Sequence, residues 1–358
     1  MNLFNLMITE RFAKSFAAVI LIFSVIACSD DIVSESDTDP VHTLKDLDAF
    51  EQNDVLGRGI NLGNILEAPN EGDWGLTLQS YYFEEIAEAG FNSVRLPIRW
   101  SAHADTDAPY SIDENFFERI DWAIVQALNN GLAININIHH YEEIFENPSA
   151  EKERFLAIWD QIANRYLDKP AEVFFEILNE PNNKLTPELW NQYLTEAISV
   201  IRQSNPGRTL IVGTAEWGGF SALSRLSLPE NDRNIIVTLH YYNPFEFTHQ
   251  GAEWVDGSEN WLGTTWSNTG AEREAVISDF DAVLSWSTAN NRPVNIGEFG
   301  AYSRADMDSR YLWTYFITSI SELYNMSWHY WEFGAGFGAY DINNNEWHER
   351  LLEALIRP

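Results

Sequence analysis

Glu180 ends the run "VFFEILNE" and Glu298 ends "PVNIGE", two short stretches of strand-forming residues that each stop on a carboxylate. An ionised carboxyl is expensive to bury without a partner, so each needs a reason to be there. Two carboxyls facing each other across a cleft suit the hydrolysis of a glycosidic bond. One protonates the departing oxygen while the other attacks the anomeric carbon. Their mutual repulsion would lift one pKa, leaving one group protonated and one ionised near neutral pH. Once a glycosyl ester forms, the nucleophile's charge is gone, the acid's pKa falls, and it can act as base towards water.

Bringing these residues together requires a scaffold, and the rest of the chain supplies its pattern. From Leu56 onward eight apolar runs of β type follow one another: "LGRGINLG", "FNSVRLPI", "LAININIHH", "EVFFEILNE", "TLIVGTAEW", "NIIVTLHYY", "PVNIGEFG" and "SWHYWEF". Between them, stretches such as 113–130, 151–167, 186–204, 271–290 and 306–324 repeat apolar residues at three- and four-residue spacing, which predicts helices. Near-continuous apolar strands separated by helices imply a parallel sheet covered by helices. Eight such units fit a single (β/α)8 barrel, a TIM barrel. A doubly wound open sheet is the alternative, but no Gly-rich phosphate turn follows the first strand. Arg95, His139, His140, Asn179, Glu180, Glu216, His240, Tyr242, Glu298 and Trp331 all fall at or near the C-terminal ends of these strands. In a barrel those ends meet at one mouth, where catalytic groups collect.

The formal charge of −32 over 358 residues argues against a nucleic-acid partner, whose phosphates would be repelled. Abundant aromatics, 14 of them Trp, suit a neutral ligand with flat faces to stack on. At the N-terminus, Arg11 and Lys14 precede an apolar run from Phe16 to Ala27 and then the only cysteine, Cys28. That run is short for a membrane span and has the anatomy of an export signal. "VIAC" resembles the lipobox of bacterial lipoproteins, in which the Cys becomes the lipid-modified first residue. The expected organisation is a signal peptide over 1–27, an acidic flexible tether over 28–43 and the barrel over 44–358, with a short lead-in helix from Leu44 to Phe50. A lone Cys allows no disulfide within the chain.

"VFFEILNEPN" and "NIGEFG" fit the acid/base and nucleophile motifs of glycoside hydrolase family 5. "GRGINLGNILEAPNEGDWG", "NIHHYEE", "GTAEWGG", "HYYNPFEFTHQGAEW" and "YWEF" resemble its thermophilic bacterial cellulase–mannanase branch, and the resemblance runs from about Leu56 to the C-terminus. It implies that Glu298 is the nucleophile and Glu180 the acid/base, that Arg95 and Tyr242 hold and ionise Glu298, and that Asn179 meets the sugar's 2-hydroxyl. It implies further that His139, His140 and His240 line the floor, with His240 near the acid/base, and that Trp331 lies under the sugar. Asn64 and Glu67 would hold the next sugars, with His249 and Trp254 as further contacts. The implied enzyme is a cofactor-free monomer acting on β-linked polysaccharide, endo-cleaving soluble glucans and glucomannan, with mannanase as the alternative main activity. An outer-membrane or cell-surface lipoprotein is expected, touching membrane only through its lipid. Ile65, where a small residue is expected, "GTTWSNTGAERE" and "FGAGFG" depart from the branch's pattern at the cleft edge.

Other readings weigh less. The His139–His140 pair could suggest a metal, but such sites usually draw on more His and Asp ligands from neighbouring strands, and the first strand ends in "NLGN". Arg95 could form an internal barrel salt bridge, which is compatible with its functional role. Glu216 is expected to be structural, bonded to the histidines. A glycan-binding lipoprotein without catalysis would have lost a carboxylate, and both are present.

Overall fold

The computed structural model describes residues 47–357; the expected signal peptide, Cys28 and the tether lie outside these. Eight parallel strands pair in chain order: β1 (Arg58–Asn61), β2 (Ser93–Leu96), β3 (Ala133–Asn137), β4 (Val173–Glu176), β5 (Leu210–Gly213), β6 (Ile235–His240), β7 (Val294–Phe299) and β8 (Ser327–Tyr330). The sheet closes where β8 pairs with β1, Trp328 opposite Arg58. This is the expected (β/α)8 barrel.

The five expected helices form at Glu114–Asn129, Pro148–Arg165, Pro187–Ser204, Gly270–Asn290 and Met307–Leu323. Their starts follow capping chemistry. Asp113, Thr186, Thr269 and Asp306 each accept a backbone N–H of the first turn and so stand just outside the helix. Pro148 at the first turn, where its missing N–H costs nothing, begins its helix earlier than the apolar spacing predicts. The lead-in helix lies at Ala49–Leu56 rather than 44–50, because Asp48 and Glu51 form a capping box that fixes its first turn. After β5 the chain makes only short helical turns, Ala215–Gly218 and Phe220–Arg225.

Alternation along the strands sorts the interior into two layers. Ile60, Val94, Ile134, Phe175, Val212, Val237, Ile296 and Trp328 point outward into the core shared with the helices. Each such side chain, fully buried, contributes roughly 1.5–3 kcal/mol. At the N-terminal end of the barrel, Ala133, Phe174, Ile211 and Ile236 point inward and pack on Ala49 and Leu56 of the lead-in helix, an apolar plug. One pleat higher, the inward positions turn polar: Asn61, Arg95, Asn135, Glu176, Thr238, Asn295 and His329 are all buried. The strands are thus apolar outside and at the bottom and polar at the top inside, which aims their chemistry at one mouth.

Candidate active site

β6 and β7 slip register at their ends: Leu239 faces Ile296, but His240 faces Glu298, leaving Gly297 as the extra residue. Such a bulge re-aims a side chain, here bringing Glu298 into the mouth beside His240. Only glycine fits at 297, since a Cβ there would collide with Thr238 Oγ1 and press on His240 Nε2.

Glu298 is buried and held on both oxygens. Arg95 donates to Oε1 at 2.6 Å and the Tyr242 hydroxyl donates to Oε2 at 3.0 Å. His240 stands between the two carboxyls, its Nδ1 2.6 Å from Glu180 Oε1 and 3.5 Å from Glu298 Oε2. One oxygen of each glutamate and a His240 nitrogen all lie within 4.8 Å of one another. Arg95 also donates to Asn179 Oδ1 at 2.7 Å, so one guanidinium orients both Glu298 and the neighbour of Glu180.

Burial pushes the Glu298 carboxyl above its ordinary value, and Glu180 adds to that push while His240 and Arg95 pull against it. The resemblance implied that this carboxyl is ionised, so its burial works against the charge that Arg95 and His240 favour. Burial opposes a charge on His240, yet Glu298 and Glu180 outweigh it and hold the imidazole above its usual range. His139 is the reverse case, held well below by burial, with His140 and Arg95 adding repulsion. A neutral His139 then presents a flat ring 5.9 Å from Trp331 and nearly parallel to it.

The remaining expected residues distribute around this centre. His140 meets His139 edge-on at 4.6 Å. Asn64 donates its amide to Glu332 Oε2 at 3.1 Å. Glu67 has no exposed surface, and its oxygens accept the backbone N–H groups of Asn64 and Ile65, so it holds the turn that presents Asn64. His249 stacks on Phe245 and lies 4.9 Å from the Tyr242 ring, while Trp254 is exposed at the edge beside Tyr302. Glu216 departs from expectation: it pairs with Arg225 at 2.5 Å rather than with the histidines, because its backbone turns left-handed and carries the side chain outward.

Backbone conformation marks the same place. Among the described residues, five other than Asn and Gly have positive φ, and four of them, His140, Glu180, Glu216 and Trp217, follow directly on β3, β4 and β5. Each costs about 1–3 kcal/mol and persists where the surroundings impose it, often at functional sites.

Four residues escaped the sequence reading. Glu176 is the last residue of β4 and forks onto Arg95, which donates Nε–H to Oε2 at 2.7 Å and a terminal N–H to Oε1 at 2.6 Å. A lone Glu within an apolar parallel strand was the available signal. Glu332, directly after Trp331, accepts the backbone N–H groups of Ala335 and Phe337. Trp74 meets His140 edge-on at 5.5 Å. Trp217, 60% exposed, donates its backbone N–H to Pro181 O and lines a cavity of about 380 Å³ with Asn182, Asn183, Glu216 and Arg225. Nothing in composition separates these two Trp from those in the core.

Residues 52–336 match the cellulase family, glycosyl hydrolase family 5. The chain is 36% identical over 328 residues to endoglucanase H of Acetivibrio thermocellus, covering 90% of this chain and 35% of that protein. It therefore spans about a third of the length of that relative. Among solved structures, Thermotoga maritima Cel5A in complex with mannotriose is 56% identical, with a TM-score of 0.85 over 86% of this chain and all of that one. The same protein in complex with cellobiose superposes equally well. The cellulose synthase subunit Z of Clostridioides difficile is 40% identical, with a TM-score of 0.82 over 84% of this chain and all of that one.

Proposed function

The chain belongs to glycosyl hydrolase family 5, and from that premise we propose that it is a retaining endo-β-1,4-glycanase with Glu298 as nucleophile and Glu180 as acid/base. The observation that carries this reading is the separation of the two carboxyls. One oxygen of each carboxyl lies within 4.8 Å of the other, which fits the roughly 5–5.5 Å of retaining enzymes better than the about 6.5–9.5 Å at which inverting enzymes place a water between them.

In the first step a Glu298 oxygen attacks the anomeric carbon, the bond to the leaving oxygen breaks, and Glu180 gives that oxygen its proton. In the second, water attacks the same carbon, Glu180 takes the water's proton, and the Glu298 ester breaks. Arg95 and Tyr242 hold the attacking carboxylate by two charge-assisted contacts, which fixes its aim. His240, bonded to Glu180 and held above its usual range by the two carboxyls, moderates the repulsion between them. Asn179, its Oδ1 pinned by Arg95, keeps its amide N–H₂ for the sugar's 2-hydroxyl. Trp331, backed by His139, provides the platform beneath that sugar. Asn64, on the turn held by Glu67, reaches the next sugar, with His140, His249 and Trp254 further out. The leaving group departs on the Glu180 side, where Trp217 is tied to Pro181 and offers an exposed ring. NMR of early cellotetraose hydrolysis tests the route: β-anomeric product is expected first, and α product would overturn it.

For substrate, the proposal is soluble β-1,4-glucan, mixed-linkage glucan and glucomannan, with weaker action on pure β-mannan. Complexes of Thermotoga maritima Cel5A with both cellobiose and mannotriose support tolerance at carbon 2. Matched cello- and manno-oligosaccharides compared by kcat/KM decide it, since a thousandfold preference either way would end the dual reading. The signal and Cys28 support an exported lipoprotein, anchored by lipid at the cell surface. Cys28→Ser should abolish lipid labelling, and a variant that stays processed and membrane-bound would overturn that placement.

A further inference from the structure

We propose that Glu176 is a positioning residue for the hydrolysis, fixing through Arg95 both the aim of Glu298 and the share of positive charge that reaches it. The inference rests on the reading of Glu298 as nucleophile.

Arg95 is wholly buried, and each of its five N–H groups has an acceptor. Nε and one terminal N–H bind the two Glu176 oxygens side-on. The other N–H on that nitrogen goes to Asn179 Oδ1, while the second terminal nitrogen serves Asn61 Oδ1 at 2.8 Å and Glu298 Oε1 at 2.6 Å. A planar guanidinium gripped at one edge has no freedom left at the other. Glu176 is itself pinned, since Asn135 donates to Oε2 at 2.6 Å and Asn137 to Oε1 at 3.3 Å. Asn61 ties the far side to β7 and β8 through the carbonyls of Gly297, His329 and Tyr330. The reacting carboxylate is therefore located by a chain of contacts that starts one pleat below it.

The same geometry divides a charge. Arg95 lies between two buried carboxylates, and the anion at Glu176 offsets part of the field that Arg95 casts on Glu298. Burial would raise Glu176, but Arg95 overcomes this and holds it at about 2, so it stays anionic at working pH. The other titratable groups facing this pair are His139 on the β3 side, Glu180 after β4, His240 and Tyr242 from β6, and His329 on β8. None of these can replace the fork, because none touches the Nε edge of Arg95. An anion at 176 thus keeps Glu298 more basic, and a more nucleophilic carboxylate, than an undivided arginine would allow.

The test is E176Q, assayed as full pH profiles on cellotetraose. The acid limb of kcat/KM reports the free enzyme's ionisation of Glu298. Removing the anion removes its repulsion of a charged Glu298 and leaves the Arg95 field unopposed, so the Glu298 pKa falls and the limb moves about one pH unit towards acid. We expect kcat to drop about 10- to 100-fold through lost aim, with KM changed little. A folded E176Q with the wild-type limb would overturn the proposal, because a residue needed only for packing would lower the active fraction without moving it. If E176Q fails to fold, E176D decides: charge is kept and reach is shortened, so the limb should stay while kcat falls, and unchanged kcat would overturn the proposal. Azide rescue of Glu298→Ala in the parent enzyme is run alongside. Failure there strikes the nucleophile assignment itself, whereas rescue with an unmoved E176Q limb strikes only the role of Glu176.

Discussion

At the floor of the mouth, Arg95 commits all five N–H groups to Glu176, Glu298, Asn61 and Asn179, and Glu298 is held on both oxygens. At the rim, Trp217 and Trp254 stand 60% and 61% exposed, and Trp74 touches the site only through the edge of His140. The floor resembles a protein core in its closure, with charge matched to charge. The rim resembles a surface awaiting a partner. The difference separates two tasks. Bond cleavage needs atoms fixed to a fraction of an ångström before the substrate arrives. Choosing among polysaccharides needs flat apolar faces that accept sugars of several kinds.

If the division is real, damage at the floor should be catastrophic and damage at the rim graded. Glu298→Ala should lower kcat about 10⁴-fold or more on every substrate. Glu180→Ala should cripple action on cello-oligosaccharides but largely spare kcat/KM on aryl glycosides with good leaving groups, whose departure needs no proton, while their kcat falls because the second step has lost its base. A rim substitution with a comparable loss would erase the distinction.

Next in size is the response of the floor to losing its central charge. Arg95→Ala would leave Glu176 and Glu298 buried without their cation, a change that typically costs about 3–5 kcal/mol of stability. Urea unfolding measures it, and a variant as stable as the parent would mean that the carboxyls have other partners. The floor should also titrate. Attack requires ionised Glu298, and burial raises its pKa, so the acid limb of kcat/KM should lie above the ordinary glutamate range. A limb at or below that range would contradict the burial argument.

The edge between β1 and β8 gives a smaller effect of defined sign. Burial raises Glu67 to about 7 and Glu332 to about 8. Both folded values exceed the unfolded one, so the folded state binds more protons, and their contribution falls as pH rises from the ordinary carboxyl value through about 8. Thermal unfolding should show Tm declining over that window, and E332Q should flatten the decline.

How much of this was legible in the chain follows the same line. The strand ends were readable because a polar residue or an aromatic platform closing an apolar run has few structural excuses, and seven of the eight did so. The five helices named from periodicity formed with shifts at their caps and at Pro148, but the lead-in helix lay further along the chain and the helix at Ser80–Ala89 was not named. Glu176 was passed over because the apolar run continues past it through Ile177 and Leu178 to Asn179, and a charge within such a run reads as noise unless its partner is known. That partner, Arg95, lies 81 residues away in sequence. The outward turn of Glu216 depends on a left-handed backbone that no residue type at 216 or 217 announces. Rim tryptophans differ from core tryptophans only in where the fold leaves them.

The rim predictions are therefore the finest. Trp217→Ala should raise KM for longer oligosaccharides about 2- to 10-fold, the worth of one aromatic contact, and leave aryl cellobiosides unchanged. Loss on the aryl substrates would place Trp217 with the floor. The smallest effect expected is none: Glu180, His240 and Glu298 offer three possible ligand atoms to a divalent ion, yet the proposed route uses carboxyls alone. EDTA should leave kcat/KM unchanged, and loss restored by an added metal would favour a metal-dependent hydrolase.

The floor's central assignment is tested most directly by supplying azide to Glu298→Ala and determining the configuration of the sugar azide by NMR. With the carboxylate gone and Glu180 still able to protonate the leaving oxygen, azide should enter the vacated face and restore turnover with an α-glycosyl azide as product. A β-glycosyl azide from this variant would show that Glu298 is not the nucleophile and that the roles of the two carboxyls are reversed.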